Sequence, residues 1–374
     1  MPGLLPDVDP DGLLEYSVVY TDRSLNHMSR RFQGVMRDVS ATLKQVYGAH
    51  SAVIVPGSGT FGMEAVARQF ATNQHCLIVR NGQFSYRWSQ ILEMGAIAES
   101  TIVLKASRLD PNDAESPFAP APIEEVERTI REERPAVVFA PHVETSAGIL
   151  LPDEYLKRVA SAVHEVDGLF ILDCIASGTL WVDMRETGVD VLVSAPQKGW
   201  SGLPCCGMVM LSERARERIE HTVSTSFACD LRKWLAIMET YESGGHAYHA
   251  TMPTDGLARL RDIMQETAEY GFDRVRGEQL ALGEGVRELL ARYGYRSVAA
   301  PGFEAPGVVV CYSRDPGVVA KFAEAGIQVA AGVPLMCDEG ESFQAFRIGL
   351  FGLDKLHHRE RSLATLDAAL ERIA

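Results

Sequence analysis

The chain has 374 residues, 46% of them apolar and 23% charged, with a formal net charge of −14. That length buries a sizeable core and predicts two structural domains, while an acidic balance with no concentration of lysine or arginine excludes nucleic acid and anionic membrane surfaces as partners. No apolar run approaches a membrane span.

The amino terminus, Met1 to Asp11, carries prolines and acidic residues where a signal peptide would have a basic region and an apolar core, so none is expected. From about residue 50 to 195, apolar runs alternate with helical patterns. Strands are predicted at 52–55, 76–79, 97–104, 136–140, 169–172 and 189–193, and helices at 63–71, 86–94, 123–131 and 153–165. The charge run 124–133 reads as a solvated helix face, supported by opposite charges four apart. Cys206 to Leu211 should return as a further strand. Beyond about residue 255 the pattern changes to long charged helices at 257–269 and 278–293, then short strands around 307–312 and 345–348. The expected fold is α/β, a mostly parallel doubly wound sheet with a smaller α+β carboxyl-terminal domain. Seven cysteines, at 76, 174, 205, 206, 229, 311 and 337, lie mostly in apolar runs with no Cys-x-x-Cys pair. They predict reduced core residues of a cytoplasmic protein, not a metal site or disulfide framework.

Asp173 ends one buried-strand pattern and Lys198 follows the next, so both are expected at the carboxyl-end rim of a parallel sheet, where ligands bind. A carboxylate that keeps a pyridine nitrogen protonated and an amine that forms a Schiff base are the two groups that pyridoxal phosphate requires. Pro56-Gly57-Ser58-Gly59-Thr60-Phe61-Gly62 follows the first strand and opens a helix, so its N–H groups and hydroxyls suit a phosphate. Its glycines also match the dinucleotide fingerprint, but the next strand ends in Arg80-Asn81 instead of an acidic residue for a ribose. A single compact phosphate fits better. Phe84, near the end of the second strand, offers a ring to stack on a flat cofactor, and the hydroxyls of Thr145 and Ser146 offer bonds to a phenolic oxygen. His142 is a loop hydrogen-bonder or a catalyst. His246 and His249 have no carboxylate or cysteine to complete a metal site, and no Gly-x-Ser-x-Gly elbow is present. Arg347 lies in an apolar strand, where its planar fork wants a carboxylate, structural or from a substrate.

With these residues in view, the chain resembles the class V aminotransferases of pyridoxal-phosphate fold type I, which include alanine-glyoxylate, serine-pyruvate and 2-aminoethylphosphonate transaminases. The likeness runs in order from about residue 35 to 352 through Gly57-Ser58-Gly59-Thr60, Asn81-Gly82, Glu144-Thr145-Ser146-Ala147-Gly148, Asp173-Cys174-Ile175-Ala176-Ser177, Gln197-Lys198, Tyr248-His249-Ala250-Thr251 and Arg347-Ile348-Gly349. It implies that Ser58, Gly59, Thr60 and Gln197 hold the cofactor phosphate, that Phe84 and Ile175 pack on the ring faces, and that Ser146 lies near the phenolic oxygen. Asp173 would pair with the pyridinium and Lys198 would form the Schiff base. Tyr248 and Thr251 would reach the phosphate of a neighbouring subunit, implying a homodimer with shared active sites. The domains implied are an amino-terminal segment lining the active site (1–30), a large cofactor-binding domain (31–255) and a small domain (256–374).

The resemblance also implies the reaction, transfer of an amino group from a small amino acid or aminophosphonate to a 2-oxo acid such as glyoxylate or pyruvate. Lys198 would move the proton and Arg347 would bind the acid's carboxylate. A lyase or cysteine desulfurase on the same fold is the alternative. Desulfurases typically stack a histidine on the ring and place another before the lysine, positions held here by Phe84 and Gln197. The amino-terminal segment departs from the family pattern: Tyr16 to His27 stands where relatives carry a Gly-Pro-rich stretch, with Arg23 and His27 either reading a second acidic group or serving as structural residues.

Overall fold

A computed structural model of the chain describes residues 13–373, so the run considered above as a signal peptide lies outside the described residues. Seven strands form the main sheet. In spatial order they are Ser51–Pro56, Cys206–Leu211, Val191–Ser194, Leu169–Asp173, Val137–Pro141, His75–Arg80 and Ser100–Lys105. The last five pair in parallel, and Cys206–Leu211 runs antiparallel to both its neighbours. Val137–Pro141, Leu169–Asp173 and Val191–Ser194 are buried at every position. Strands covered on both faces have no solvent side to mark, which is why they read as continuous apolar runs. Helices Gly59–Phe70, Gln83–Met94, Asp153–Glu165 and Leu231–Glu242 pack against the sheet.

The strand expected at 97–104 begins later, at Ser100. Ile97 belongs to the turn closing helix Gln83–Met94: its N–H bonds to the carbonyl of Leu92, and its buried side chain caps the helix end. Helix Arg30–Tyr47 adds to the elements predicted from sequence. Its buried Phe32, Val35, Met36, Val39, Leu43 and Tyr47 recur at helical spacing, Ser29 accepts from the Phe32 N–H, and Gly48 ends it at a φ of 61°. A second, antiparallel sheet has Ala345–Gly349 between Val308–Tyr312 and Ala330–Ala331. Its own core includes Val275, Leu282, Val286, Phe322, Phe346 and Leu370. Arg347 thus stands on the central strand of this second sheet.

Candidate active site

Parallel pairing sets Val193 opposite Asp173, so the loop carrying Lys198 leaves the sheet beside that carboxylate. Both side chains line a cavity of about 240 Å3, together with Ser58, Gly59, Thr60, Phe84, Ile175 and Gln197. The Lys198 loop is held closely. A Cβ on Gly199 would lie 1.9 Å from the carbonyl oxygen of Gly178, so only glycine fits there. Buried Trp200 packs on Trp181 and donates from Nε1 to the Tyr47 hydroxyl at 3.2 Å. Lys198 Nζ stands 5.0 Å from the centre of the Phe351 ring. Burial, then the charge of Arg347, hold this amine below its ordinary value, with Arg87 adding to them and Asp173 opposing. A larger share of neutral amine makes a better nucleophile.

Asp173 is buried and accepts one hydrogen bond among the described residues, from the Ile175 N–H at 2.9 Å. Burial pushes its carboxyl up to about 7; the Ile175 N–H opposes, Glu144 adds, and Arg87 and Lys198 oppose. Such a group becomes a stable carboxylate when a cationic donor is brought to it.

The phosphate-like cradle lies at the start of helix Gly59–Phe70. Ser58 is the N-cap residue and its side chain makes no capping bond, leaving the first amides and the Ser58 hydroxyl without that internal partner. Gly57 has a φ of 121°, and a Cβ there would lie 2.8 Å from the Phe61 ring.

Phe84 is set by the first turn of helix Gln83–Met94. Gly82 has no side chain to cap it, and the N–H groups of Gln83, Phe84 and Ser85 go to Ser146 Oγ (2.9 Å), Glu144 Oε1 (3.1 Å) and Glu144 Oε2 (2.8 Å). Glu144 also accepts from the hydroxyl of Ser85 and from the N–H and hydroxyl of Ser146. Ser146, expected near the phenolic oxygen, is fully buried with its hydroxyl engaged by Glu144 and Gln83, and the adjacent Thr145 lines the cavity.

Arg87, to which sequence assigned no role, also lines the cavity and donates from Nη1 to Thr60 Oγ1 at 3.1 Å. The signal was its position one helical turn after Phe84, which puts both on one face. Arg347 donates from Nε to the carbonyl of Ala331 at 2.9 Å, and its guanidinium stands 5.6 Å from the Phe84 ring centre. No carboxylate lies within ion-pair distance of it among the described residues.

The other expected residues lie apart from the cavity. Tyr248 is 54% exposed, with its hydroxyl 3.2 Å from that of Thr251. His142 is buried, its Nδ1 is 2.7 Å from the Ser177 hydroxyl, and burial lowers it to about 3, so it is a neutral loop hydrogen-bonder. His249 bonds the carbonyl of Phe227. Arg23 is exposed, and His27 is buried with its ring 5.6 Å from those of both Tyr20 and Tyr248. A larger cavity of about 630 Å3 has Arg80, Lys105 and Asp338 in its walls, but Lys105 is tied to Asp338 at 2.8 Å. The free amine and the under-bonded carboxylate are together in the smaller cavity.

Residues 13–334 match the family model described as Aminotransferase class-V. The chain is 29% identical to 2-aminoethylphosphonate–pyruvate transaminase 2 of Paraburkholderia xenovorans over 94% of this chain and 90% of that one. It is 25% identical to alanine–glyoxylate aminotransferase 1 of Saccharomyces cerevisiae over 83% of this chain and 82% of that one. Its fold is similar to that of the alanine–glyoxylate aminotransferase of Nostoc sp., with a TM-score of 0.78, 23% identity, and coverage of 93% of this chain and 88% of that one.

Proposed function

Because the chain belongs to the class V aminotransferases and is thus a pyridoxal-phosphate transaminase of fold type I, we propose that it moves an amino group from a small amino acid or aminophosphonate to a 2-oxo acid such as glyoxylate or pyruvate, in the cavity between Lys198 and Asp173. The observation that carries this reading is the pairing, in one cavity, of an amine held below its ordinary value with a buried carboxylate short of partners. The donor set suits the cofactor. Asp173 lacks the cation that a pyridinium would supply, and the Ser58–Thr60 turn offers N–H and hydroxyl donors to a phosphate. A Cβ on Gly59 would lie 2.6 Å from Ile175 Cδ1, where it would crowd the cavity wall.

Pyridoxal phosphate, when bound, supplies an electron-accepting pyridinium and a carbonyl carbon that exchanges amines. Asp173 holds the proton on the ring nitrogen. Ser58, Gly59, Thr60 and Gln197 hold the phosphate, Phe84 and Ile175 hold the ring faces, and Thr145 offers its hydroxyl to the phenolic oxygen. Lys198 anchors the carbonyl carbon. Once displaced by a donor amine, Lys198 would take the proton from the donor's α-carbon and deliver it to the cofactor's former carbonyl carbon, two bonds away across the nitrogen. The Arg347 fork holds the carboxylate of the 2-oxo acid. Tyr248 and Thr251 reach a neighbouring subunit's phosphate in a homodimer with shared sites, a reading supported by the exposure of Tyr248 and of the apolar Leu13, Tyr16 and Val18. Seven buried, unpaired cysteines support a reducing, cytoplasmic setting. Separate sheets support a cofactor-binding domain at 31–255 and a small domain at 256–374, with helix Thr254–Tyr270 joining them, since its Leu257, Leu260 and Met264 lie in the first core and its Ile263 in the second.

The test is the visible absorption of the purified protein before and after addition of alanine, serine, aspartate or 2-aminoethylphosphonate. One donor should convert the band of lysine-bound cofactor to the near-ultraviolet form, and glyoxylate or pyruvate should restore it. Lys198→Ala should lack the lysine-bound band and turnover. A band that no donor bleaches, with sulfide or alanine released from cysteine, would overturn transamination in favour of lyase chemistry.

A further inference from the structure

The first turn of helix Gln83–Met94 presents two cavity-lining side chains, Phe84 and, one turn later, Arg87. Arg87 is half-buried and donates to Thr60 Oγ1 at 3.1 Å. A guanidinium has five N–H donors, and this is the one hydrogen bond Arg87 makes among the described residues. Nor does any carboxylate lie within ion-pair distance of it there. Its ring neighbour is Phe84, whose centre is 5.4 Å from the guanidinium carbon, and an aromatic face leaves the N–H edge free. A guanidinium whose charge reaches Asp173 across the cavity but forms no ion pair there is a site for an anion.

The bond to Thr60 says which anion. Arg87 occupies a lone pair of the Thr60 oxygen, so the hydroxyl proton is directed elsewhere, and Ser58, Gly59 and Thr60 line the same cavity at a helix amino terminus. Arg347 stands over the same aromatic ring at 5.6 Å but is tied to Ala331 on the second sheet. Arg87, and not Arg347, is thus the guanidinium that lines the cavity beside the Ser58–Thr60 turn. We propose that Arg87 is a phosphate-binding residue of this site, supplying the fixed positive charge for the cofactor's phosphate and setting the Thr60 hydroxyl as a donor to it. The assignment rests on the reading of the cavity as a pyridoxal-phosphate site.

The test compares dissociation constants of pyridoxal 5′-phosphate and pyridoxal for the cofactor-free full-length chain, its Arg87→Gln variant and its Arg87→Lys variant. The covalent bond to Lys198 is common to both probes, so their ratio isolates the phosphate. Arg87→Gln should weaken pyridoxal 5′-phosphate by about ten- to a hundredfold and pyridoxal by less than about twofold, with Arg87→Lys between. Inorganic phosphate should raise the melting temperature of the cofactor-free parent and fail to raise that of Arg87→Gln. If the Gln variant does not fold, the Lys variant carries the same ratio. Equal weakening of both probes would make Arg87 a packing residue, and unchanged cofactor affinity with a raised KM for one substrate would assign it to that substrate; either overturns the proposal. A parent chain that binds neither probe would instead overturn the reading of the cavity itself.

Discussion

Asp173 and Glu144 are both buried carboxylates at the rim of one sheet, and they are built in opposite ways. Glu144 accepts five hydrogen bonds, from Phe84, Ser85 and Ser146, and through them holds the start of a helix. Asp173 accepts one, and burial pushes it up to about 7. Partners make the difference, since fixed N–H and O–H dipoles replace the water that a buried carboxylate loses. Where the protein supplies them, the group is structural. Where it withholds them in a cavity, the missing partner is a ligand.

The largest effect expected from this contrast is the share of the cofactor-free protein's pH dependence that Asp173 supplies, which runs against that of buried His142, held down at about 3. Its folded value of about 7 lies above the ordinary 3.8, so between these the folded chain binds more protons than the unfolded one. The resulting stability is fully present below about 4 and is lost as pH rises through 7, amounting to roughly 4 kcal/mol at most. The difference in urea-unfolding free energy between the parent and Asp173→Asn, which cancels the opposing slope of His142, should show the decline across that range. Bound cofactor should remove the decline, because a pyridinium stabilises the charged carboxylate. In the loaded enzyme Asp173→Asn should keep the cofactor while turnover falls by about a hundredfold or more. A variant that retains both the parent's pH slope and its rate would break the contrast at its stronger end.

How much of this was legible in the sequence follows the same division. Asp173 and Lys198 were readable because parallel strands announce themselves as apolar runs, and their carboxyl ends must meet at one rim. The Ser58–Thr60 turn was readable because it joins a strand to a helix. The different settings of Thr145 and Ser146 were not, since neighbouring hydroxyls look alike until the buried carboxylate of Glu144 engages one of them. Arg87 carried a signal in its spacing from Phe84, but its significance depends on the absence of an ion pair among the described residues, which is a tertiary fact. Helix Arg30–Tyr47 has a plain apolar period in the sequence. Phe351 beside Lys198 required the second sheet to dock on the first, and no local pattern specifies that contact.

A smaller effect tests the saturated carboxylate. Glu144→Gln keeps the shape but replaces one acceptor oxygen with an NH2 group. The Ser146 hydroxyl can turn to accept from it, whereas the Ser85 hydroxyl, which already accepts from the Asn81 and Gly82 N–H groups, and the backbone N–H groups of Phe84, Ser85 and Ser146 cannot. At least one buried N–H loses its acceptor, at a cost of about 1–3 kcal/mol in unfolding free energy. Hydrogen exchange at Phe84 and Ser85 should quicken, and the cofactor should bind more weakly because the Phe84 ring is held less firmly. Parent-like unfolding and exchange would show that Glu144 does not hold this turn.

The finest division lies within the Thr145-Ser146 pair, where adjacent side chains face a cavity and a core. Ser146→Ala removes the acceptor of the Gln83 N–H and a donor to Glu144, and should cost about 1 kcal/mol of folding stability whether or not cofactor is present. Thr145→Val keeps the volume and removes only a cavity-facing hydroxyl, so the cofactor-free protein should unfold almost as the parent does. Its cofactor affinity should drop by about five- to tenfold, the loss of one hydrogen bond to the ring's phenolic oxygen. If the two variants exchange these behaviours, Ser146 is the cofactor ligand after all, and Glu144 must release its hydroxyl when the ring binds.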